Sequence, residues 1–249
     1  RLVPADTSSA IRLESELSFF AKNQAQLAVL HLADWETLPY DTISPHQDII
    51  SERHSTLYKL PSIKQGVLIV PITTLLQRLM PQSYLIGNSL MVSVGEQIDT
   101  NQLRQNLERA GYHCVDTVYE HGEFAVRGSL MDIYPMGSHL PYRIDLFDNE
   151  IESLRTFDPE NQLTIDKVDK IQLLPAKEFP LNKAGINLFK QQWLERFDVN
   201  HKACPVFQDI SAGISPPGIE YYLPLFFDAC STLFDYLPQN TQVYALGDI

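Results

Sequence analysis

The chain has 249 residues, of which 44% are hydrophobic and 20% are charged, and its formal net charge is −12. This size and composition predict one to three ordinary globular domains, and no apolar run is long enough to cross a bilayer, so no membrane partner is expected. The negative charge argues against a protein that wraps nucleic acid, because such proteins neutralise phosphates with Lys and Arg.

The cysteines and the chain ends add two expectations. Cys114, Cys204 and Cys230 are odd in number and widely spaced, so they predict neither a disulfide framework nor a metal-binding pair. The N-terminus lacks the basic and apolar regions of a secretion signal, and a cytoplasmic location is therefore expected. Both ends look cut, which suggests a fragment of a longer protein.

Residues 1–88 have the pattern of an α/β unit. Strands are predicted at 2–3, 27–32 and 67–71, the second of them buried on both faces. Helices are predicted after Asp6, from about Ser44, and over 72–79. In the first helix, an apolar stripe is formed by Ile11, Leu13, Leu17 and Phe20. Alternation of strand and helix predicts a parallel sheet with helices on both faces.

Residues 89–175 are dominated by strands. We predict strands at 90–95, 114–119 and 170–174, a run of short antiparallel strands over 121–158, and a helix that begins after Asp99 and ends at Gly111. This segment holds 15 acidic and 7 basic side chains, a net charge of −8. The class therefore changes from α/β to α+β, and so acidic a domain suits a protein partner better than DNA.

Residues 176–249 return to helix, with a helix predicted over 183–197, a loop over 205–218 and a final strand over 243–246. Because α/β-type pattern lies on both sides of the strand-rich segment, that segment is predicted to be inserted into an α/β unit. The expected domains are 1–88, 89–175 and 176–249.

Alternation of side chains picks out one face of the central sheet. In YRIDLFD, Ile144 and Leu146 point towards a core, while Arg143 and Phe147 point the other way. Arg127 ends the polar face of a neighbouring strand. Arginine and aromatic side chains are enriched in protein interfaces, so this face is a candidate binding surface. The alternative is a second small core under Phe147 with the arginines in surface ion pairs.

Catalytic and cofactor motifs are missing from the sequence. No glycine precedes Gly66 and no GK[ST] follows, so no phosphate loop is present. The carboxylate pairs at 14/16 and 150/152 are explained by surface positions, and the scattered histidines show no metal-ligand spacing. The aromatic segments 35–40 and 221–227 lack interleaved Lys or Arg and are expected to pack in the core rather than on bases. We therefore predict no catalytic, cofactor or metal site.

Four long stretches closely resemble one family, the bacterial transcription-repair coupling factors (Mfd). The stretches are ADWETLPYDTISPHQDIISERHSTLYKL, GVLIVPITTLLQR, EHGEFAVRGSLMDIYPMGSHLPYRIDLFDNEIESLRTFD and PPGIEYYLPLFF. The resemblance runs over essentially the whole chain and places it in the N-terminal region of that family. The same region is similar to the excision-repair helicase subunit UvrB, in which a half-domain, an inserted UvrA-binding domain and a second half-domain follow one another.

The resemblance implies a fold and a set of partners. The fold is an α/β, RecA-like (P-loop NTPase-like) lobe with a degenerate nucleotide site, interrupted by an inserted α+β domain with an antiparallel sheet. It implies UvrB-like domain 1A at 1–88, the UvrA-binding domain 2 at 89–175 and part of domain 1B at 176–249. Gly247-Asp248 stands where UvrB has an Asp-Glu pair, and residues 70–82 are too short for UvrB's DNA-gripping hairpin.

The family's activity is expected to reside outside this chain. Its members are ATP-dependent double-stranded DNA translocases that remove RNA polymerase stalled at lesions and recruit UvrA. ATP, Mg²⁺, RNA polymerase and double-stranded DNA are thus expectations for the full-length protein. For this chain the resemblance implies no enzyme activity and no cofactor, with UvrA as the partner.

The family's UvrA contacts map onto Arg127 in AVRG, Arg143 in PYRID and Phe147 in DLFD. The arginines would pair with carboxylates on UvrA, and Phe147 would bury its ring. One departure is Leu163, where a basic residue is expected. Two alternatives remain: a vestigial nucleotide- or DNA-binding motor lobe, and an autoinhibitory clamp on the C-terminal translocase.

Overall fold

A computed structural model describes residues 2–4, 6–21, 27–39 and 41–246. Within these residues the strands are β1 (Leu2–Pro4), β2 (Ala28–His31), β3 (Gly66–Ile69), β4 (Leu90–Ser93), β5 (His113–Cys114), β6 (Glu123–Arg127), β7 (Leu130–Ile133), β8 (Tyr142–Phe147), β9 (Glu150–Phe157), β10 (Thr164–Val168), β11 (Lys170–Leu173) and β12 (Tyr244–Leu246). The α-helices are α1 (Thr7–Ala21), α2 (Gln47–Lys59), α3 (Ile72–Leu75), α4 (Gln82–Gly87), α5 (Thr100–Arg109), α6 (Lys183–Arg196) and α7 (Pro205–Ser211). Short 3₁₀ helices cover Leu60–Ser62, His201–Ala203, Ile219–Phe226 and Leu233–Tyr236.

The first and last segments share a parallel sheet with strand order β12-β1-β3-β2. All four residues of β2 pair with β3, and β12 pairs with β1. The predicted mixture of a parallel α/β sheet and an antiparallel sheet is confirmed. However, β2 is only half-buried over its first three residues, because it lies at the edge of the described sheet rather than at its centre.

Helix α1 departs from its predicted stripe. The Asp6 carboxylate accepts a hydrogen bond from the Ser9 N–H at 2.7 Å, as expected of a cap. Yet Ile11 and Phe20 are 52% and 73% exposed, and Ala10 is the buried residue of the helix. The helix therefore contacts the sheet through its small side chain and leaves much of the predicted stripe in solvent.

The predicted helix over 72–79 is wrong in length. Helix α3 ends at Leu75, and Leu79 instead forms an isolated bridge with Ser231, exchanging two backbone hydrogen bonds with it. The loop predicted over 205–218 is also partly wrong, because α7 occupies its first half. Phe207 and Ile210, three residues apart, bury the inner side of that helix against the aromatic core around α6.

The six-stranded sheet has the order β10-β9-β8-β7-β6-β5 and is antiparallel except for the β5–β6 pair. Its inner face forms a core with two leucines of α5, Leu103 and Leu107. Only the first residue of the strand predicted at 114–119 is paired, and β10 was not predicted. The antiparallel pair β4–β11 lies on either side of this segment in the sequence.

Helix α2 joins the parallel sheet to the six-stranded sheet. The Ser51 hydroxyl accepts a hydrogen bond from the Gly137 N–H at 2.9 Å, and the Asp48 carboxylate lies 2.7 Å from the His121 ring. Deeper in the junction, Arg53 donates to the Glu178 carboxylate at 3.2 Å, and both side chains are at most 3% exposed. These contacts hold the strand-rich segment on the rest of the chain. Among the described residues, no helix combines the length and apolarity that a bilayer crossing requires.

Gly218 should tolerate no side chain. Its φ is +79°, and a Cβ would lie 2.3 Å from the Asp41 carbonyl oxygen. We expect Gly218→Ala to lower the free energy of unfolding by more than about 1 kcal/mol, measured by chemical denaturation. Gly87→Ala is the matched control, because a Cβ there meets nothing within 4 Å. Equal effects of the two substitutions would contradict this assignment.

The free energy of unfolding should decrease as the pH is lowered, because of His54. This side chain is fully buried and donates through Nδ1 to the Pro175 carbonyl at 2.8 Å. Burial lowers its pKa below the ordinary value of about 6.5, so below that pH the unfolded state binds more protons than the folded state. The free energy of unfolding should then fall by up to about 1.4 kcal/mol per pH unit as the pH drops below about 6.5. Denaturant titrations between about pH 7.5 and pH 5.5 measure this slope. His54→Gln should flatten it, and an unchanged slope would be inconsistent with a neutral, buried imidazole.

Candidate functional site

The alternation expected in β8 is present in the structure. Ile144 and Leu146 are 1% and 7% exposed on the inner face, whereas Phe147 is 70% exposed on the opposite side, here called the outer face. Arg127 of β6 also lies on the outer face, and its side chain is 49% exposed. The core around Ala125, Val118 and Phe157 covers another part of this face. The accessible part is therefore the end that carries Arg127 and Phe147.

Two tight hairpins place these residues at the same end of the sheet. Arg127 pairs with Leu130 across a two-residue turn in which Gly128 has φ +63°. Phe147 pairs with Glu150 across a second two-residue turn, in which Asp148 has φ +53°. Positive φ at the first turn position matches the twist of a two-residue hairpin. By strand spacing, the Cα atoms of Arg127 and Phe147 are about 12 Å apart.

A buried carboxylate orients both predicted arginines. Asp132 of β7 is 1% exposed and accepts two hydrogen bonds from Arg143, from Nε at 2.7 Å and from Nη2 at 2.9 Å. Arg127 donates to the same carboxylate through Nη2. Arg143 is 18% exposed and its guanidinium lies 4.8 Å from the ring centre of Phe157. Asp132 thus holds Arg143 in a fixed fork and leaves the more exposed Arg127 partly available.

A second ion pair on the outer face was not predicted. Arg155 of β9 donates to the Asp145 carboxylate, which also accepts from the Ser153 hydroxyl. Its neighbour in the sheet is Arg143, which pairs directly opposite Arg155. The same alternation rule applied to ESLRTF would have placed Arg155 on the polar face. Asp132 was missed because a buried aspartate within a short apolar strand gives no signal of its partners.

The outer face carries charges of both signs, because Glu123 and Glu150 lie on it beside the arginines. Three guanidinium groups, those of Arg127, Arg143 and Arg155, face the two carboxylates of Asp132 and Asp145. Hydrogen bonding to Asp132 raises the pKa of Arg143 above its ordinary value, so this group stays charged. The surface therefore combines clustered guanidinium groups with an exposed ring, which suits an acidic protein surface with an apolar pocket.

Comparison with known proteins identifies this sheet. Residues 90–179 match the family described as the UvrB interaction domain, and the range contains every strand of the six-stranded sheet. After this match, residues 90–179 are called the UvrB interaction domain. The remaining residues are outside that match and are covered by comparison with longer relatives.

The whole chain is similar to transcription-repair-coupling factors, which confirms the resemblance found in the sequence. The protein of that name from Escherichia coli K12 is 51% identical over 249 residues, all of this chain and 21% of the relative. The Haemophilus influenzae protein is 48% identical over 241 residues, or 96% of this chain, and the Bacillus subtilis protein is 28% identical over 212 residues, or 78%. The chain spans about a fifth of the length of these relatives.

Most of the other side chains singled out in the sequence lie at the surface or in the core, away from the outer face. Leu163, where a basic residue was expected, is 66% exposed in the turn between β9 and β10. Glu150 accepts a hydrogen bond from Gln97, and Glu16 pairs with Arg12, in keeping with surface roles. Trp35 is 3% exposed and packs edge-on against Tyr221, so these aromatic side chains lie in the core as expected. Gly247-Asp248 lies outside the described residues.

Proposed function

We propose that this chain is a non-catalytic interaction module that binds the excision-repair protein UvrA through the outer face of its UvrB interaction domain. In the full-length protein, this contact recruits UvrA to RNA polymerase stalled at DNA damage. One observation supports the proposal above all: a 70% exposed Phe147 and a half-exposed Arg127 lie at the same end of that sheet. Large rings and arginines are the side chains that dominate interface energies.

The three residues have different roles in this proposal. Phe147 is the apolar anchor, because its ring is already in solvent and loses water when it enters a pocket. Arg127 supplies the charge-assisted hydrogen bonds, since only one of its terminal nitrogens contacts Asp132. Arg143 contributes its exposed edge and keeps Asp132 in place, which in turn fixes the direction of Arg127.

The proposal extends to the domain division and to the parent protein. Residues 1–88 and 176–249 together form a RecA-like lobe with a degenerate nucleotide site, and 89–175 is the insertion. The parallel sheet, to which both flanking segments contribute strands, supports this division. ATP, Mg²⁺, RNA polymerase and double-stranded DNA belong to the full-length protein. A cytoplasmic location follows from the proposed partners.

Calorimetric titration of purified UvrA with this chain tests the proposal directly. We expect saturable binding with an affinity that falls at high salt, because salt screens the charge pairs that contribute to it. Absence of binding at all salt concentrations, with both proteins folded, would contradict the proposal.

A nucleotide titration separates the interaction module from a vestigial motor lobe. The chain has no GK[ST] sequence, so ATP with Mg²⁺ should leave its melting temperature unchanged. A rise of several degrees, or a DNA shift at low salt, would favour the motor-lobe alternative.

A further inference from the structure

Three potential metal ligands meet at the carboxyl end of β2. His31 ends that strand, Glu14 comes from α1, and Glu52 comes from α2. His31 Nδ1 lies 3.3 Å from Glu14 Oε2 and 3.8 Å from Glu52 Oε1, and one donor atom from each residue lies within 4.8 Å of the others. Sequence spacing did not reveal this cluster, because each ligand belongs to a different element.

The separations fit a small divalent cation. Zn²⁺ binds imidazole nitrogen and carboxylate oxygen at about 2.0–2.2 Å, and tetrahedral geometry then separates neighbouring ligand atoms by about 3.4 Å. The two distances from His31 Nδ1 lie on either side of this value. The third separation, between the two glutamate oxygens, is at most 4.8 Å, and rotation of these flexible side chains brings the three ligand atoms to three corners of a tetrahedron.

Burial and charge distinguish this cluster from an ordinary acidic surface. His31 is 7% exposed, and its Nδ1 faces two carboxylates rather than a backbone carbonyl. Glu14 and Glu52 are 36% and 51% exposed, so solvent reaches the open side of the cluster. Both carboxylates lie close to the same imidazole nitrogen, Nδ1, so their negative charges repel each other there. A dication between them removes that repulsion.

We propose that Glu14, His31 and Glu52 bind one Zn²⁺ ion, with water at the fourth position. An imidazole and two carboxylates form a ligand set that Zn²⁺ accepts readily, whereas Mg²⁺ and Ca²⁺ require more oxygen ligands. The ion links α1 and α2 through β2. Since α2 also contacts the UvrB interaction domain through Asp48 and Ser51, the ion stiffens the support of that domain.

Zinc binding to the intact chain tests this site without any repair partner. The chain is stripped with a chelator and dialysed against ZnCl₂, and bound zinc is measured by metal analysis. We expect about one Zn²⁺ per chain, and a loss of affinity of at least tenfold in Glu14→Gln and in Glu52→Gln, because a neutral amide is a poor ligand. Replacement by Co²⁺ should give the visible absorption of a four-coordinate ion that both variants lack.

Glu16→Gln is the matched control, because Glu16 lies on the same helix but pairs with Arg12 at an exposed position. It should bind zinc as the wild type does, and circular dichroism should show all three variants folded. Zinc binding of equal affinity in the wild type and in both ligand variants would overturn the proposal. So would failure of the wild-type chain to bind zinc at millimolar concentration.

Discussion

Phe147→Ala should weaken the binding of UvrA by more than about fivefold, which corresponds to about 1 kcal/mol, and should leave the fold intact. The ring is 70% exposed at the end of β8, so its removal opens no cavity in the free chain. In the complex, its loss removes the central apolar contact of the surface. Calorimetric titration of UvrA with wild-type and variant chains measures the difference, and chemical denaturation verifies the fold.

Phe20→Ala is the control for this substitution, because its ring is 73% exposed on α1, far from the sheet in sequence. It should bind UvrA as tightly as the wild type. If Phe147→Ala and Phe20→Ala behave alike, Phe147 is not the anchor, and the outer face loses its main support as the binding surface.

The same binding measurement tests the two predicted arginines, Arg127 and Arg143. Arg127→Ala should also weaken UvrA binding by more than about 1 kcal/mol, with Arg104→Ala as the matched control. Both side chains are half-exposed, at 49% and 51%, both pair with one carboxylate, and both lie within residues 90–179. Arg143→Ala should weaken binding as well, and it should lower stability, because it leaves the buried Asp132 with one partner. Wild-type affinity in the Arg127, Arg143, Phe147 triple variant would refute the site.

Arg53→Ala should have the largest effect on stability, lowering the free energy of unfolding by about 3–5 kcal/mol. Arg53 is fully buried, donates to Glu178 at 3.2 Å and to the Ala33 carbonyl at 2.6 Å, and lies 5.0 Å from the ring centre of Trp35. Truncation leaves the Glu178 carboxylate buried without its cation. Because this pair links α2 to the segment after β11, its loss should weaken the attachment of the UvrB interaction domain.

Chemical denaturation of Arg53→Ala, monitored by circular dichroism, measures this loss. Arg12→Ala serves for comparison, because the Arg12–Glu16 pair is exposed on α1 and should contribute nothing measurable. A small loss for Arg53→Ala would mean that water or neighbouring groups satisfy Glu178 in the variant. The junction would then be held mainly by apolar contacts.

Sequence patterns predicted which side chains lie on the outer face, but they did not predict the hydrogen-bond partners of its arginines. The two-residue period of a strand places Arg143 and Phe147 on one side whatever the rest of the fold does. The partner of those arginines depends on strand register, which is set by turns and pairing that a single sequence does not display. For this reason Asp132 and Arg155 became visible only when β7, β8 and β9 were aligned.

The predictions that were wrong elsewhere also concern features that depend on the packing around them. An apolar stripe in α1 predicted that its side chains would be buried. However, α1 packs on β2, a strand at the edge of the sheet, and Ile11 and Phe20 remain exposed. Proline-rich sequence after Pro205 suggested a loop, although proline is compatible with the first turn of α7. The Glu14, His31 and Glu52 cluster depends on the packing of two helices on one strand, which no local pattern encodes.

Hydroxyl-radical footprinting of the complex with UvrA tests the central claim most directly, because it reports the exposure of individual rings. We expect UvrA to slow the oxidation of Phe147 severalfold and to leave that of Phe20 unchanged. Oxidation of Phe147 at the same rate in the free and bound chains, with protection confined to the parallel sheet and its helices, would contradict binding through the outer face.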